Sequence, residues 1–191
     1  CFNNHYKITP DLFDIWMRLL RRVEGSVLWL PDGSATAVNN LRLEAGKRGV
    51  APDRLVFAPR IESLADHLAR LRLADLFLDT FYYNAHTTAS DALWAGVPVL
   101  TCPGETFQSR VAASLVHAAG LPELVMPDLA AYEETAVRLG QGTTRGEAAS
   151  ELAELKARLH AVQLSCDPSA SGRMAPRCAR TRSCWAEKFS I

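Results

Sequence analysis

The stretch "YNAHTTASDALWAGVPVL", residues 83–100, decides the fold. It predicts a short apolar helix from about Thr87 to Gly96, because a glycine followed by Val97 and Pro98 is a typical helix stop. The apolar run "VPVL" comes next and predicts a strand that is buried on both faces. A helix that leads directly into such a strand is typical of a parallel sheet covered by helices.

The same alternation extends in both directions from this stretch. Short apolar or β-branched runs predict strands at Val27–Leu30, Leu55–Phe57, Asp75–Asp79, Val97–Thr101 and Leu124–Met126. Helical periodicity predicts helices at roughly 10–23, 36–48, 62–73, 87–95, 107–119, 128–139 and 146–162. Together these patterns predict an α/β fold over residues 1–165, a Rossmann-like parallel sheet flanked by helices.

Composition limits the classes of function. The chain has 191 residues, of which 48% are hydrophobic and 22% charged, and its net charge is zero. This suits one globular domain, and nothing in the overall charge favours nucleic acid or a membrane as partner. No apolar run reaches the roughly 18 residues that would span a bilayer. The chain does not begin with methionine, and we expect it to be part of a longer polypeptide.

The cysteines indicate a reducing compartment. They are Cys1, Cys102, Cys166, Cys178 and Cys184, and none forms a C-x-x-C pair or has zinc-finger spacing to a histidine. An odd number with irregular gaps is not typical of a disulfide framework. We therefore predict a cytoplasmic protein.

The last 26 residues, 166–191, differ in character. They hold five Lys or Arg against two acids and have no usable helix or strand period. An irregular basic tail, solvated or disordered, is one interpretation. The alternative is an out-of-frame reading of the gene, because Arg, Ala, Ser, Pro and Cys are what shifted GC-rich codons tend to encode.

Polar residues follow the predicted strand Asp75–Asp79 at the edge where α/β sheets bind ligands. A helix that begins near Thr87 or Thr88 offers unpaired N–H groups and a partial positive charge to a phosphate, and His86 can add a donor. Asp91, one turn further on, can accept from a sugar hydroxyl. The structural alternative is Thr88 as N-cap with Asp91 reaching back in a capping box.

A second candidate lies in the helix predicted at 62–73. His67 and Arg70 are three residues apart, on one flank of the apolar stripe of that helix. Such a pair can stack on and hydrogen-bond to a flat heterocycle such as uracil. The alternative is a solvated flank on which Arg70 pairs with Asp66.

A third candidate is Lys7, just before the first helix. A lysine there can act as a point charge on a diphosphate leaving group, and the alternative, which spacing alone favours, is an ordinary surface lysine. There is no Asp-x-Asp motif to hold a divalent metal against a diphosphate. We therefore predict no metal and no cofactor.

These motifs, in this order, resemble one family. The segments "CFNNHYKITPDLFDIWMRLLRRVEGSVLWL" (1–30) and "DHLARLRLADLFLDTFYYNAHTTASDALWAGVPVLTCPGETFQSRVAASL" (66–115) are similar to the C-terminal catalytic half of the O-linked N-acetylglucosamine transferases, including bacterial and SPINDLY-like members. The resemblance runs from residue 1 to about 165. It implies a GT-B architecture, in which this chain is the C-terminal half that binds the nucleotide-sugar donor.

The resemblance also implies roles for individual residues. Lys7 would contact the donor diphosphate and assist departure of UDP, while Asp91 would bind the ribose. The remaining residues would hold the phosphates or the uracil: His86, Thr87, Thr88, His67 and Arg70. Asn4 stands where the animal enzymes carry a glutamine that reaches the phosphate. Their ribose-binding lysine has no counterpart here, since Ser63 or Leu64 occupies that region.

The function implied is transfer of N-acetylglucosamine from UDP-GlcNAc to Ser or Thr hydroxyls of acceptor proteins. In this family an N-terminal catalytic domain and tetratricopeptide (TPR) repeats, both upstream, build most of the acceptor side. Transfer of glucose from UDP-glucose to Asn, or of fucose from a GDP donor, is an alternative within the fold. A non-catalytic nucleotide-sugar binding module is the alternative from another class. No nucleic acid or membrane is expected as partner.

Overall fold

A computed structural model describes residues 1–145 and 148–166. The helices are α1 Pro10–Arg22, α2 Ala35–Lys47, α3 Leu64–Leu71, α4 Thr87–Trp94, α5 Val111–Ala118, α6 Leu129–Arg145 and α7 Ala148–Cys166. The strands are β1 Leu28–Pro31, β2 Leu55–Ala58, β3 Phe77–Leu78 and β4 Val99–Leu100. Single 3₁₀ turns occupy His5–Lys7, Pro52–Arg54, Phe107–Ser109 and Pro122–Leu124. Apart from Cys166, which ends α7, the tail predicted over 166–191 lies outside the described residues.

All strand pairs among the described residues are parallel. β1 pairs with β2 in the register Leu28↔Leu55, and β3 pairs with β4 in the register Phe77↔Val99. A parallel bridge between Thr101 and Val125 marks the strand predicted at Leu124–Met126. Helices separate successive strands, so the predicted α/β architecture is confirmed.

Strands β3 and β4 are shorter than the sequence predicts, and the four strands form two separate pairs. The N-terminal segment, residues 1–3, contacts both pairs: the amino group of Cys1 donates to the Trp29 carbonyl of β1 at 2.9 Å, and the Asn3 side chain reaches Asp79 beyond β3. A cleft of about 440 Å³ lies alongside this segment, lined by apolar residues of β1 and β3.

The core lies between the strands and the helices that cover them. Helix α1 buries Leu12, Trp16 and Met17, each at most 1% exposed, because its apolar residues recur at helical spacing. The indole of Trp16 donates to the hydroxyl of Tyr132 in α6 at 3.5 Å, and that hydroxyl donates to the Asp79 carbonyl at 3.1 Å. The core thereby reaches the carboxyl end of β3.

Across the described part of the chain, every helix is too short or too polar to cross a membrane.

The end of α4 has the geometry that the sequence predicts. Gly96 has φ of +83°, and its N–H donates to the Leu93 carbonyl at 3.0 Å. The N–H of Val97 donates to the Ala92 carbonyl at 2.9 Å. This pair of bonds is a Schellman motif, which ends the helix and turns the chain into β4.

Two glycine substitutions should change stability in opposite directions. Gly96→Ala forces a side chain into the left-handed region and should lower the free energy of unfolding by about 1–2 kcal/mol. Gly46→Ala, in α2, meets no atom within 4 Å and should raise it by about 0.5 kcal/mol. Urea denaturation of both variants measures the two changes, and an equal loss in both would refute the backbone explanation.

Candidate functional site

The first turn of α4 is open to a ligand. Its N-cap residue is His86, whose side chain makes no capping hydrogen bond. Thr88 is the second residue of the helix, and its hydroxyl donates to Asn3 Oδ1 at 2.7 Å. The alternative of a Thr88–Asp91 capping box is therefore wrong. No described residue accepts a hydrogen bond from the Thr87 and Thr88 amides, which leaves both for an anion.

A buried carboxylate organises the loop before this helix. Asp79, which is 0% exposed, receives the amides of Thr80 and Ala85 on Oδ1 at 2.8 and 2.6 Å. The Asn3 side chain donates to the same oxygen at 3.2 Å, and the Thr101 hydroxyl donates to Oδ2 at 2.7 Å. Burial raises the pKa of this carboxyl to about 6, although the hydrogen bonds lower it.

Lys7 reaches the same loop from the N-terminal side. Its ammonium donates to the Asn84 carbonyl at 2.8 Å and lies 3.8 Å from the centre of the Tyr83 ring. Burial lowers the pKa of Lys7, and the negative charge of Asp79 opposes that shift. The structure therefore places Lys7 against the loop that leads into α4, as the sequence analysis requires of a residue that acts on a diphosphate.

His86 faces a second loop of the same edge. Its Nε2 lies 3.3 Å from the Gln108 carbonyl, which also accepts the Asn84 amide at 2.9 Å. The imidazole lies near two aromatic rings, with centroid distances of 5.1 Å to Tyr83 and 6.4 Å to Phe107. Phe107 and Gln108, which directly follow the "PGET" segment at residues 103–106, thus contribute to this edge.

The fold brings His67 and Arg70, the residues predicted to face the uracil, close to Asp91, the residue predicted to bind the ribose. Arg70 Nη2 lies 3.0 Å from His67 Nδ1, and Arg70 Nη1 donates to the Pro59 carbonyl at 2.5 Å. His67 Nε2 lies 3.9 Å from the carboxylate of Asp91, which is 5% exposed. The guanidinium of Arg70 is 5.0 Å from the Phe2 ring, and burial lowers its pKa. The guanidinium of Arg70 thus bonds to Pro59 and His67 and does not form the alternative pair with Asp66.

The buried amide of the N-terminal segment is Asn3, which the sequence analysis missed. Asn3 is 1% exposed and contacts Asp79, Thr80 and Thr88, whereas Asn4 is exposed. Among the described residues the Asn4 side chain makes no hydrogen bond. Asp79 was also missed as a site residue. The sequence feature that could have indicated Asp79 is a charged residue at the end of a buried apolar run, "LFLD" at residues 76–79.

The fold and this edge define a class of protein. A parallel α/β domain whose helix start offers free amides near a loop that holds a lysine is typical of Rossmann-type domains that bind phosphorylated ligands. The family model described as "Glycosyl transferase family 41" matches residues 1–166. The chain belongs to this family, so the predicted resemblance is confirmed.

Similar proteins agree with this assignment. A probable UDP-N-acetylglucosamine–peptide N-acetylglucosaminyltransferase SEC of Arabidopsis thaliana is 39% identical over 87% of this chain. A UDP-N-acetylglucosamine–peptide N-acetylglucosaminyltransferase of Caenorhabditis elegans is 38% identical over 86% of it. The probable SPINDLY enzyme of Petunia hybrida is 34% identical over 75%. The chain spans only 14–16% of the lengths of these three relatives.

A solved structure shows the same fold. A lysine-to-methionine mutant of the Thermobaculum terrenum O-GlcNAc transferase matches with a TM-score of 0.76 and 32% sequence identity. The match covers 84% of this chain and 30% of that one. It confirms the predicted fold, a Rossmann-like half of a GT-B glycosyltransferase.

Ionisation of Asp79 should make stability depend on pH. Its pKa in the folded chain, about 6, is above the ordinary value of 3.8, so the folded state holds the proton more tightly. That contribution is complete below about pH 4 and is lost as the pH rises through about 6. Asp79→Asn lacks it.

The stability of Asp79→Asn relative to the unsubstituted chain should therefore rise between about pH 4 and pH 6.5, by roughly 2 kcal/mol, and then level off. Urea denaturation of both proteins at half-unit pH steps measures this difference. Two parallel curves across the range would show that Asp79 has an ordinary pKa.

Proposed function

We propose that this chain supplies the donor-binding half of an enzyme that transfers N-acetylglucosamine from UDP-GlcNAc to Ser or Thr hydroxyls of proteins. The observation that carries the proposal is the uncapped first turn of α4, with free amides at Thr87 and Thr88 and Lys7 held against the preceding loop. The names of the relatives support the donor and the peptide acceptor.

In the proposed complex the diphosphate lies at the start of α4. The amides of Thr87 and Thr88 donate to phosphate oxygens, and the helix dipole favours their negative charge. His86 and the Thr87 hydroxyl add donors around the same group. His67 and Arg70 face the uracil, and Asp91 accepts from a ribose hydroxyl.

The chemistry follows from the leaving group. As the bond between the anomeric carbon and the β-phosphate oxygen breaks, negative charge builds on that phosphate. Donors that are fixed before the reaction stabilise this charge more than the ground state, and each contributes a few kcal/mol. Lys7 is suited to this role, because the Asn84 carbonyl and the Tyr83 ring hold its ammonium in place.

The proposal also covers the parts of the protein that bind the acceptor and the location of the protein in the cell. We infer that an N-terminal catalytic domain and TPR repeats of a longer polypeptide bind the acceptor protein. The share of each relative that this chain spans, 14–16%, leaves room for both. A cytoplasmic location is proposed from the cysteine pattern.

Lys7→Ala in the full-length protein should lower kcat by about 100- to 1,000-fold, while UDP affinity falls much less, because the ammonium acts mainly on charge that develops in the transition state. Steady-state transfer of radiolabelled N-acetylglucosamine to an acceptor peptide measures kcat, and calorimetry measures UDP binding.

The matched control is Lys47→Ala in α2. Lys47 is an exposed lysine that pairs with Glu44 at 2.7 Å, and its loss should leave both quantities unchanged. Unchanged turnover in Lys7→Ala would overturn the role assigned to Lys7, whereas an unsubstituted protein that binds UDP without transfer would favour a non-catalytic nucleotide-sugar binding module.

We also propose that the donor diphosphate is neutralised by Lys7 and the helix amides without a metal. Transfer activity should then be the same, within about twofold, in excess EDTA and in millimolar Mg²⁺ or Mn²⁺. Loss of activity in EDTA that Mn²⁺ restores would show that a metal takes part in donor binding.

A further inference from the structure

A directional chain of hydrogen bonds runs from α4 into the core of the site. The Thr88 hydroxyl donates to Asn3 Oδ1 at 2.7 Å. Asn3 Nδ2 donates to Asp79 Oδ1 at 3.2 Å and to Thr80 Oγ1 at 2.8 Å, and the Thr80 hydroxyl donates to the Tyr83 carbonyl at 2.6 Å. Every member except Thr88 and Tyr83 is at most 1% exposed.

The direction of this chain is fixed by donor and acceptor counts. An ionised carboxylate only accepts, so Asp79 turns the NH₂ group of Asn3 toward itself and the carbonyl oxygen toward Thr88. A threonine hydroxyl has one hydrogen, and the Thr88 hydrogen is used on Asn3. That hydroxyl therefore has no hydrogen left for a phosphate.

We propose that Asn3 and Asp79 are positioning residues for the diphosphate, and that the Thr88 hydroxyl serves this pair instead of the ligand. The inference rests on the proposed function. The two threonines then have different roles: Thr88 contacts the ligand through its amide alone, whereas the Thr87 hydroxyl also remains a donor to the ligand.

Asp79 also fixes the backbone that precedes the free amides. Asp79 Oδ1 holds the Ala85 amide at 2.6 Å, one residue before the N-cap His86. The Asn84 side chain donates to the Thr80 carbonyl at 2.5 Å, and the backbone carbonyl of Asn84 accepts from the Lys7 ammonium. The network thus joins the lysine and the helix start into one preformed arrangement.

A double-mutant cycle on UDP affinity tests the inference in the full-length protein. Asn3→Ala and Thr88→Val should each weaken UDP binding about 5- to 10-fold by calorimetry. Because both remove the same link, the double variant should be no weaker than the weaker single variant. Thr88→Ser keeps the hydroxyl and should bind UDP within about twofold of the unsubstituted protein.

The matched control is Thr135→Val in α6, whose hydroxyl donates to Met126 Sδ at 3.2 Å, outside this network. It should leave UDP affinity within about twofold even where it lowers Tm, because neither residue takes part in the chain of hydrogen bonds from Thr88 to Tyr83. A loss of UDP affinity in Thr135→Val equal to that in Asn3→Ala would mean general loosening and would overturn the inference.

The remaining outcomes separate this inference from the proposed function. Losses that multiply to about 25- to 100-fold in the double variant would show that Thr88 contacts the ligand independently, and would overturn the inference alone. Failure of the unsubstituted protein to bind UDP would instead overturn the proposed function. If Asn3→Ala does not fold, Asn3→Ser, which is too short to reach both partners, takes its place in the cycle.

Discussion

The carboxylate of Asp79 is the interaction on which the site depends. A charge that is 0% exposed is costly to bury, and it is tolerated here because four donors meet it from separate parts of the chain. These parts are the N-terminal segment, the loop after β3 and the end of β4. One side chain thereby fixes the relative positions of the elements that meet at the carboxyl edge.

The start of α4 shows how stability and function are balanced at this edge. The N-cap residue, His86, is engaged with Gln108, and Thr88, the second residue of the helix, is engaged with Asn3. A side-chain cap typically stabilises a helix by about 1 kcal/mol, and this helix does without one. The amides of Thr87 and Thr88 in the first turn are therefore left free, as they would have to be for the anion binding that we propose.

Local signals in the sequence predicted the elements well, and long-range contacts were beyond their reach. The start of α1 at Pro10 and the end of α4 before Gly96 follow from proline and glycine chemistry that acts within a few residues. The role of Asn3 depends on a partner 76 positions away, and no periodicity encodes such a distance. For the same reason the sequence placed His67 and Asp91 in separate candidate sites, although the fold sets them 3.9 Å apart.

The electrostatics of Lys7 link it to the same buried carboxylate. Burial favours the neutral amine, which would be of no use against a diphosphate, and the charge of Asp79 works against that tendency. Asp79 thus acts twice, since it orders the loop whose carbonyl holds the ammonium and also favours the ammonium over the amine. A cation that is already held in place needs little reorganisation when charge builds on a leaving phosphate. This preorganisation would explain why a buried acid, with no access to a ligand itself, stands at the centre of the edge that we propose binds a diphosphate.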